Sequence, residues 1–243
     1  MHYWLVMPGA GASQRFHADT PKQYAPLAGR TVIEWALAPF LADSRCAEVV
    51  VALAPDDNGW ARLGAHGGAA HAPRSPAVSV VTGGAQRSLS VRRALAALEG
   101  RAGAEDWVLV HDAARPCLDP QDLERLLGQL AQHPLGGLLA VRAADTLKRA
   151  REAAGAASVP EVGQTVDRTG LWRALTPQMF RYARLCQALD VAHAGGRFPT
   201  DESQALEWQG EHPALVEGHA SNLKITTAAD LLLAASVLQA RHD

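Results

Sequence analysis

A chain of 243 residues, 48% hydrophobic and 20% charged, has the size and composition of a globular domain with a substantial core. Its net charge of −2 argues against a general nucleic-acid binder, which carries a basic surplus, but leaves room for a small anionic substrate held by focused cations. Cys46, Cys117 and Cys186 are odd in number and far apart, so neither a disulfide framework nor a thiolate zinc site is expected, and a reducing, cytoplasmic setting fits best.

The opening residues MHYWLVMPGA have no basic leader region, and their apolar run is too short for a membrane span. They predict a buried strand over Tyr3–Met7. Thr31–Leu41 reads as a helix covering the sheet through Val32, Trp35 and Leu37, and Ala47–Leu53 as a second buried strand. Gly64–Pro76, rich in Gly, Ala, His and Pro, is expected to be a surface loop. A strand at Val78–Val81, a helix at Ser88–Leu98 and a buried strand at Trp107–Val110 follow, then a helix at Gln121–Leu130 and a strand at Gly137–Val141. From Ala143 to Gln164 the pattern weakens, with Thr165–Val166 strand-like, as in a projecting arm. Helices at Arg181–His193 and Asp201–Trp208, short strands at Leu215–Glu217 and Leu223–Thr226, and a closing helix at Thr227–Gln239 complete the chain. Alternating strands and helices predict one α/β domain over 1–243, Rossmann-like, with a mainly parallel sheet flanked by helices and a β-arm at about 143–169.

Chemistry gathers at the strand ends. Pro8-Gly9-Ala10-Gly11 follows the first strand, and small residues there let successive backbone N–H groups approach phosphate oxygens. A dinucleotide fingerprint is weakened by Gln14 in the third glycine position, and no Gly-Lys-Ser/Thr completes a Walker loop. Arg15 and Lys22 come next, two cations suited to a triphosphate whose α-phosphorus gains charge during displacement. Gly83-Gly84, with Ser90 beyond, offers main-chain groups and a hydroxyl for reading a base; Ser88 or Ser90 is equally suited to cap the helix. Asp112 ends a strand, where a carboxylate can hold a magnesium ion that bridges substrate phosphates, although alone it reads as a turn residue. Arg115 either contacts phosphate or fixes the loop through a carboxylate pair. Lysine is scarce: Lys22, Lys148 and Lys224 stand against twenty arginines, which marks them as places needing a compact ammonium.

Taken in order, PKQY at Pro21–Tyr24, VHDAARP at Val110–Pro116, DTLK at Asp145–Lys148, TVDR at Thr165–Arg168, LTPQ at Leu175–Gln178, TDE at Thr200–Glu202 and the C-terminal VEG and NLKIT resemble the 2-C-methyl-D-erythritol 4-phosphate cytidylyltransferases. The resemblance spans nearly the whole chain. It implies a magnesium-dependent enzyme that transfers CMP from CTP to a polyol phosphate, and a homodimer in which the arm helps build the partner's site, with no nucleic acid or membrane involved. By that likeness Arg15 and Lys22 stabilise the α-phosphate, Asp112 binds magnesium, and Gly83, Gly84 and Ser90 hold cytidine. Thr146 and Arg168, reaching across the dimer, and Lys224 hold the acceptor. Ala85 departs from the family's pattern, standing where relatives commonly carry an acidic residue. A sibling enzyme acting on ribitol 5-phosphate, a non-catalytic CTP-binding regulator and, more distantly, a dinucleotide oxidoreductase are the competing readings.

Overall fold

The computed structural model describes residues 1–11, 20–65, 76–151 and 159–241. Apolar β-branched runs become its central strands: β1 (Tyr3–Pro8), β4 (Cys46–Leu53) and β6 (Trp107–Val110) lie side by side and parallel. Between β1 and β4 a single 3-10 turn at Lys22–Tyr24, a small antiparallel pair β2 (Pro26–Leu27) and β3 (Arg30–Thr31), and helix α1 (Val32–Leu41) make the crossover. Thr31 and Glu34 close a capping box at the start of α1, so the helix begins where its first orphan N–H groups find acceptors.

After β4 come the short helix α2 (Gly59–Ala65), the edge strand β5 (Ala77–Thr82) and helix α3 (Arg87–Ala96). Helix α4 (Pro120–Leu130) starts with Asp119 as N-cap and Pro120 at its first turn, and leads to β7 (Gly136–Arg142). The second half adds β8 (Leu147–Ala150), β9 (Val162–Val166), β10 (Trp172–Arg181), helices α5 (Tyr182–Ala194) and α6 (Glu202–Glu207), β11 (Ala214–Glu217) and α7 (Ala228–Gln239). The seven-stranded sheet has the order β11-β7-β10-β6-β1-β4-β5 and is parallel except at β10, which is antiparallel to both its neighbours.

Side-chain alternation sorts the core into two layers. Tyr3, Leu5 and Met7 face α1 and α4, packing with Ile33, Phe40, Leu123 and Leu126. Val6, Val50, Ala52 and Val108 face the other way, onto Val91, Leu95, Leu185, Leu189 and Leu206 of α3, α5 and α6. A smaller cluster joins Leu27 and Val32 to Ile225 and the Ala234–Leu238 side of α7. Burying each such leucine or valine contributes about 1.5–3 kcal/mol, so the sheet's two faces fix the carboxyl ends of β1, β5 and β6 in one region.

Two expectations change. Leu223–Thr226 is not a strand; the Ile225 N–H bonds the Ala114 carbonyl at 2.8 Å, and the segment is held against the loop after β6 rather than against a sheet edge. The ten-residue β10 is absent from the sequence reading, yet it joins β6 to β7. The weak region after Ala143 does contain paired structure: β8 and β9 form an antiparallel hairpin separate from the main sheet, with Leu147 opposite Val166. Of the loop expected at Gly64–Pro76, residues 66–75 lie outside the described residues, and Gly64 and Ala65 end α2.

Candidate active site

The carboxyl ends of β1, β5 and β6 open on a cleft of about 620 Å³. Its lining brings together Pro8, Gly9, Ala10 and Gly11 after β1, Lys22 in the 3-10 turn, Gly83, Gly84 and Ser90 around the start of α3, Asp112 after β6, and Lys224 before α7. Each of these is a residue that the sequence singles out. Arg15 falls outside the described residues. Arg115 stands behind the cleft against Asp112, while Thr146 and Arg168 sit exposed at the two sides of the arm, away from this chain's cleft lining.

The two backbone loops are held closely. Gly9 N–H donates to the Ala52 carbonyl at 2.7 Å and Gly83 N–H to the Leu53 carbonyl at 2.7 Å, which extends the strand ladder one step into the cleft. Gln23 donates to the Gly9 carbonyl at 3.1 Å. A Cβ on Gly83 would stand 2.4 Å from the Ala10 Cβ, and one on Gly84 would stand 2.5 Å from the Leu89 Cβ, so both positions need glycine for close approach. Neither Ser88 nor Ser90 caps α3, whose N-cap is Gln86. Ser90 Oγ instead accepts from Gly84 N–H at 3.0 Å, and Ser88 meets His193 at 3.0 Å.

Asp112 organises the rest. Its carboxylate receives Arg87 Nε on Oδ1 at 2.9 Å and Lys224 Nζ on Oδ2 at 2.9 Å, with Arg115 Nε 3.4 Å from Oδ2. These cations, Arg87 foremost, hold the buried carboxyl well below the usual carboxylate range despite the cost of its burial. Arg87 continues to Glu202, at 2.6 and 3.1 Å, where burial pushes the carboxyl up and the guanidinium pulls it back. Arg115 also donates to the Asn222 carbonyl at 2.8 Å, which favours the loop-fixing role over direct phosphate contact.

Beneath Asp112, His111 is fully buried and burial depresses it to about 4, so it is neutral. Its Nε2 faces the Arg115 carbonyl at 3.0 Å and therefore carries the proton; Nδ1 then accepts from Thr176 Oγ1 at 2.9 Å. Thr176 Oγ1 in turn accepts the Asp112 N–H at 3.2 Å, and the Thr176 carbonyl accepts from Asn222 Nδ2 at 2.7 Å. The loop carrying Lys224 is thus pinned to β10 and to the turn after β6.

Sequence reasoning missed Arg87, Glu202, His111 and Thr176 as site residues. His111, Thr176 and Glu202 lie inside the quoted motifs and Arg87 between Gly84 and Ser90, but the pairs His111–Thr176 and Arg87–Glu202 are distant in the chain, and only the fold brings them together. Three cations against two carboxylates leave the Asp112 cluster with a positive surplus, and Lys22 stands in another part of the same cleft lining. Such a cleft attracts anions, and its glycine-lined wall admits a flat, hydrogen-bonding group close to the backbone. Among the described residues there is no cluster of three or more His, Cys, Asp or Glu able to hold a metal ion, and no helix long and apolar enough to cross a membrane.

Comparison with known proteins places the whole chain among close relatives. The sequence model of the 2-C-methyl-D-erythritol 4-phosphate cytidylyltransferase family (IspD) matches residues 3–240. The chain is 50% identical to the Halorhodospira halophila protein of that name, over 99% of this chain and 95% of the relative. It is also 50% identical to the Pseudomonas aeruginosa protein of that name, over 95% and 93%. Among solved structures, a 4-diphosphocytidyl-2C-methyl-D-erythritol synthase superposes with a TM-score of 0.79 at 34% identity, covering 98% of this chain and 99% of that one. The Thermus thermophilus cytidylyltransferase gives 0.75 at 31%, covering 98% and 100%.

Proposed function

Because the chain belongs to the 2-C-methyl-D-erythritol 4-phosphate cytidylyltransferase family, we propose that it transfers CMP from CTP to 2-C-methyl-D-erythritol 4-phosphate, releasing pyrophosphate. The observation that carries this reading is the convergence of the Gly83–Gly84 wall, Lys22 and the Asp112–Lys224 pair on one cleft. In the proposed reaction an oxygen of the acceptor phosphate attacks the α-phosphorus of CTP. A new P–O bond forms as the bond to the β-phosphate oxygen breaks, and the electron pair leaves with pyrophosphate. The acceptor phosphate is already ionised at neutral pH, so no strong general base is required.

The protein's work is to hold two anions together and spread the developing charge. Lys22, with Arg15, is assigned to the α-phosphate; a positioned cation or donor at such a centre is worth about 3–4 kcal/mol. Gly83, Gly84 and Ser90 are assigned to cytidine, through main-chain groups and the hydroxyl that already engages Gly84. Lys224, kept in place by Asp112, is assigned to the acceptor phosphate, together with Thr146 and Arg168 of a partner subunit's arm in a homodimer.

Magnesium belongs to the proposal as the ion that accompanies the triphosphate. Each oxygen of Asp112 already receives a cation at 2.9 Å, Arg87 on Oδ1 and Lys224 on Oδ2, so a bond to magnesium would use a remaining lone pair beside them. Asp112, the carboxylate in the cleft lining, is the residue that would help hold the ion, whose charge would offset that of the phosphates.

Pyrophosphate release tests the assignment. CTP and magnesium with 2-C-methyl-D-erythritol 4-phosphate should give rapid release, and ribitol 5-phosphate should give little. Equal or greater release with ribitol 5-phosphate would reassign the acceptor. CTP binding without product from either polyol would reject the enzyme.

A further inference from the structure

Arg87 lines the cleft, yet each of its guanidinium nitrogens is committed to a carboxylate: Nε to Asp112 at 2.9 Å, Nη1 and Nη2 to Glu202 at 2.6 and 3.1 Å. Its role is set by where it stands. It opens α3, immediately after the Gly83–Gln86 turn, so a free guanidinium there would join Lys22 and Lys224 around any triphosphate in the cleft. Glu202 is fully buried at the first position of α6, and its hydrogen bonds among the described residues go to Arg87. The α6 end is itself fixed, since Gln178 of β10 accepts from Ser203 N–H at 2.9 Å and donates to Asp201 at 2.9 Å. A carboxylate anchored in this way holds the arginine by two parallel charge-assisted bonds, a geometry that resists swinging.

We propose that Glu202 is a positioning residue that keeps Arg87 on Asp112 and out of the phosphate-binding set, so that the departing pyrophosphate is not retained by a further guanidinium. The inference rests on the pyrophosphate-releasing reaction proposed above. A cleft with too few cations cannot stabilise charge at the α-phosphorus; one with too many binds product as firmly as it binds the transition state, and gains nothing in turnover. Glu202 sets that number by neutralising one cation from behind.

The test titrates inorganic pyrophosphate into the full-length wild type, Glu202→Gln, Glu202→Asp and the double variant Arg87→Gln/Glu202→Gln by calorimetry, alongside steady-state turnover and thermal melts. Freed from its counter-charge, Arg87 in Glu202→Gln should bind pyrophosphate about tenfold more tightly, the scale of one charge-assisted hydrogen bond, and turnover should fall while KM for CTP does not rise. Glu202→Asp, which draws the carboxylate back by one methylene, should move the same way by a smaller factor and decides the question if Glu202→Gln does not fold. The double variant, with neither charge, should return to wild-type pyrophosphate affinity without recovering turnover. Unchanged or weaker pyrophosphate binding in a folded Glu202 variant overturns the inference, and so does a double variant that binds as tightly as Glu202→Gln. A wild type that releases no pyrophosphate from CTP and acceptor would sink the proposed reaction instead, a result visible before any variant is made.

Discussion

The cleft and the arm differ in how their side chains are satisfied. Asp112 is 6% exposed and meets Arg87, Arg115 and Lys224, with His111 and Thr176 locked beneath it. Along β8 and β9 the residues are exposed except Val166, and Lys148 to Thr165, at 2.7 Å, is a surface contact. A two-stranded hairpin of this kind is marginal alone, while the cleft's ion network is tied to β6, β10, α3 and α6. One chain therefore pre-assembles the cleft, with Lys224 already held on Asp112, and leaves Thr146 and Arg168 exposed, where the proposed partner subunit would use them.

The sharpest way to break this contrast is at Lys22. Lys22→Ala should lower turnover by about 10²–10³-fold, as for loss of a transition-state donor, with a much smaller change in CTP affinity. Near-normal turnover would remove the lysine from the reacting centre. Next comes the glycine wall. Gly83→Ala would drive a methyl group to 2.4 Å from the Ala10 Cβ and 2.9 Å from Ser90 Oγ, an overpacking cost of about 1–3 kcal/mol. Denaturant unfolding and CTP titration together should register that cost, and wild-type values in both would dismiss the close-approach argument. The smallest effect is expected on the arm. Arg168→Ala should leave the folding stability of the chain within about 0.5 kcal/mol, as for an exposed side chain, while KM for the acceptor rises and KM for CTP holds. An unchanged acceptor KM would detach the arm from the site.

Much of this is legible in the sequence where chemistry and period coincide. β1, β4 and β6 announce themselves as apolar runs, and Gly83, Asp112 and Lys224 stand at strand ends or in motifs of recognisable order. β10 is hidden for a physical reason: Pro177 has no N–H to give a ladder, and a proline in a central strand argues against that assignment. The strand tolerates it through an irregularity, its pairing with β7 stepping from Ala174 opposite Ala140 to Gln178 opposite Leu138. Leu223–Thr226 misleads in the opposite direction, since a short run around Ile225 looks strand-like while its backbone is used to pin a loop. Arg87 and Glu202 are invisible as a pair because 115 positions separate them; charge, unlike hydrophobic period, carries no local mark of its partner.

β10 begins beside the arm, where Arg142 stacks 4.3 Å over Trp172, and runs on to Thr176 and Gln178 under the cleft. One strand, its pairing irregularity included, thus sets the distance between the hairpin's root and the floor of the cleft. Deleting or inserting a residue between Trp172 and Thr176 would move one end out of frame with the other, whichever of them natural variation was acting upon. That interval works as a ruler, and among homologous chains its length should stay constant even where its side chains drift.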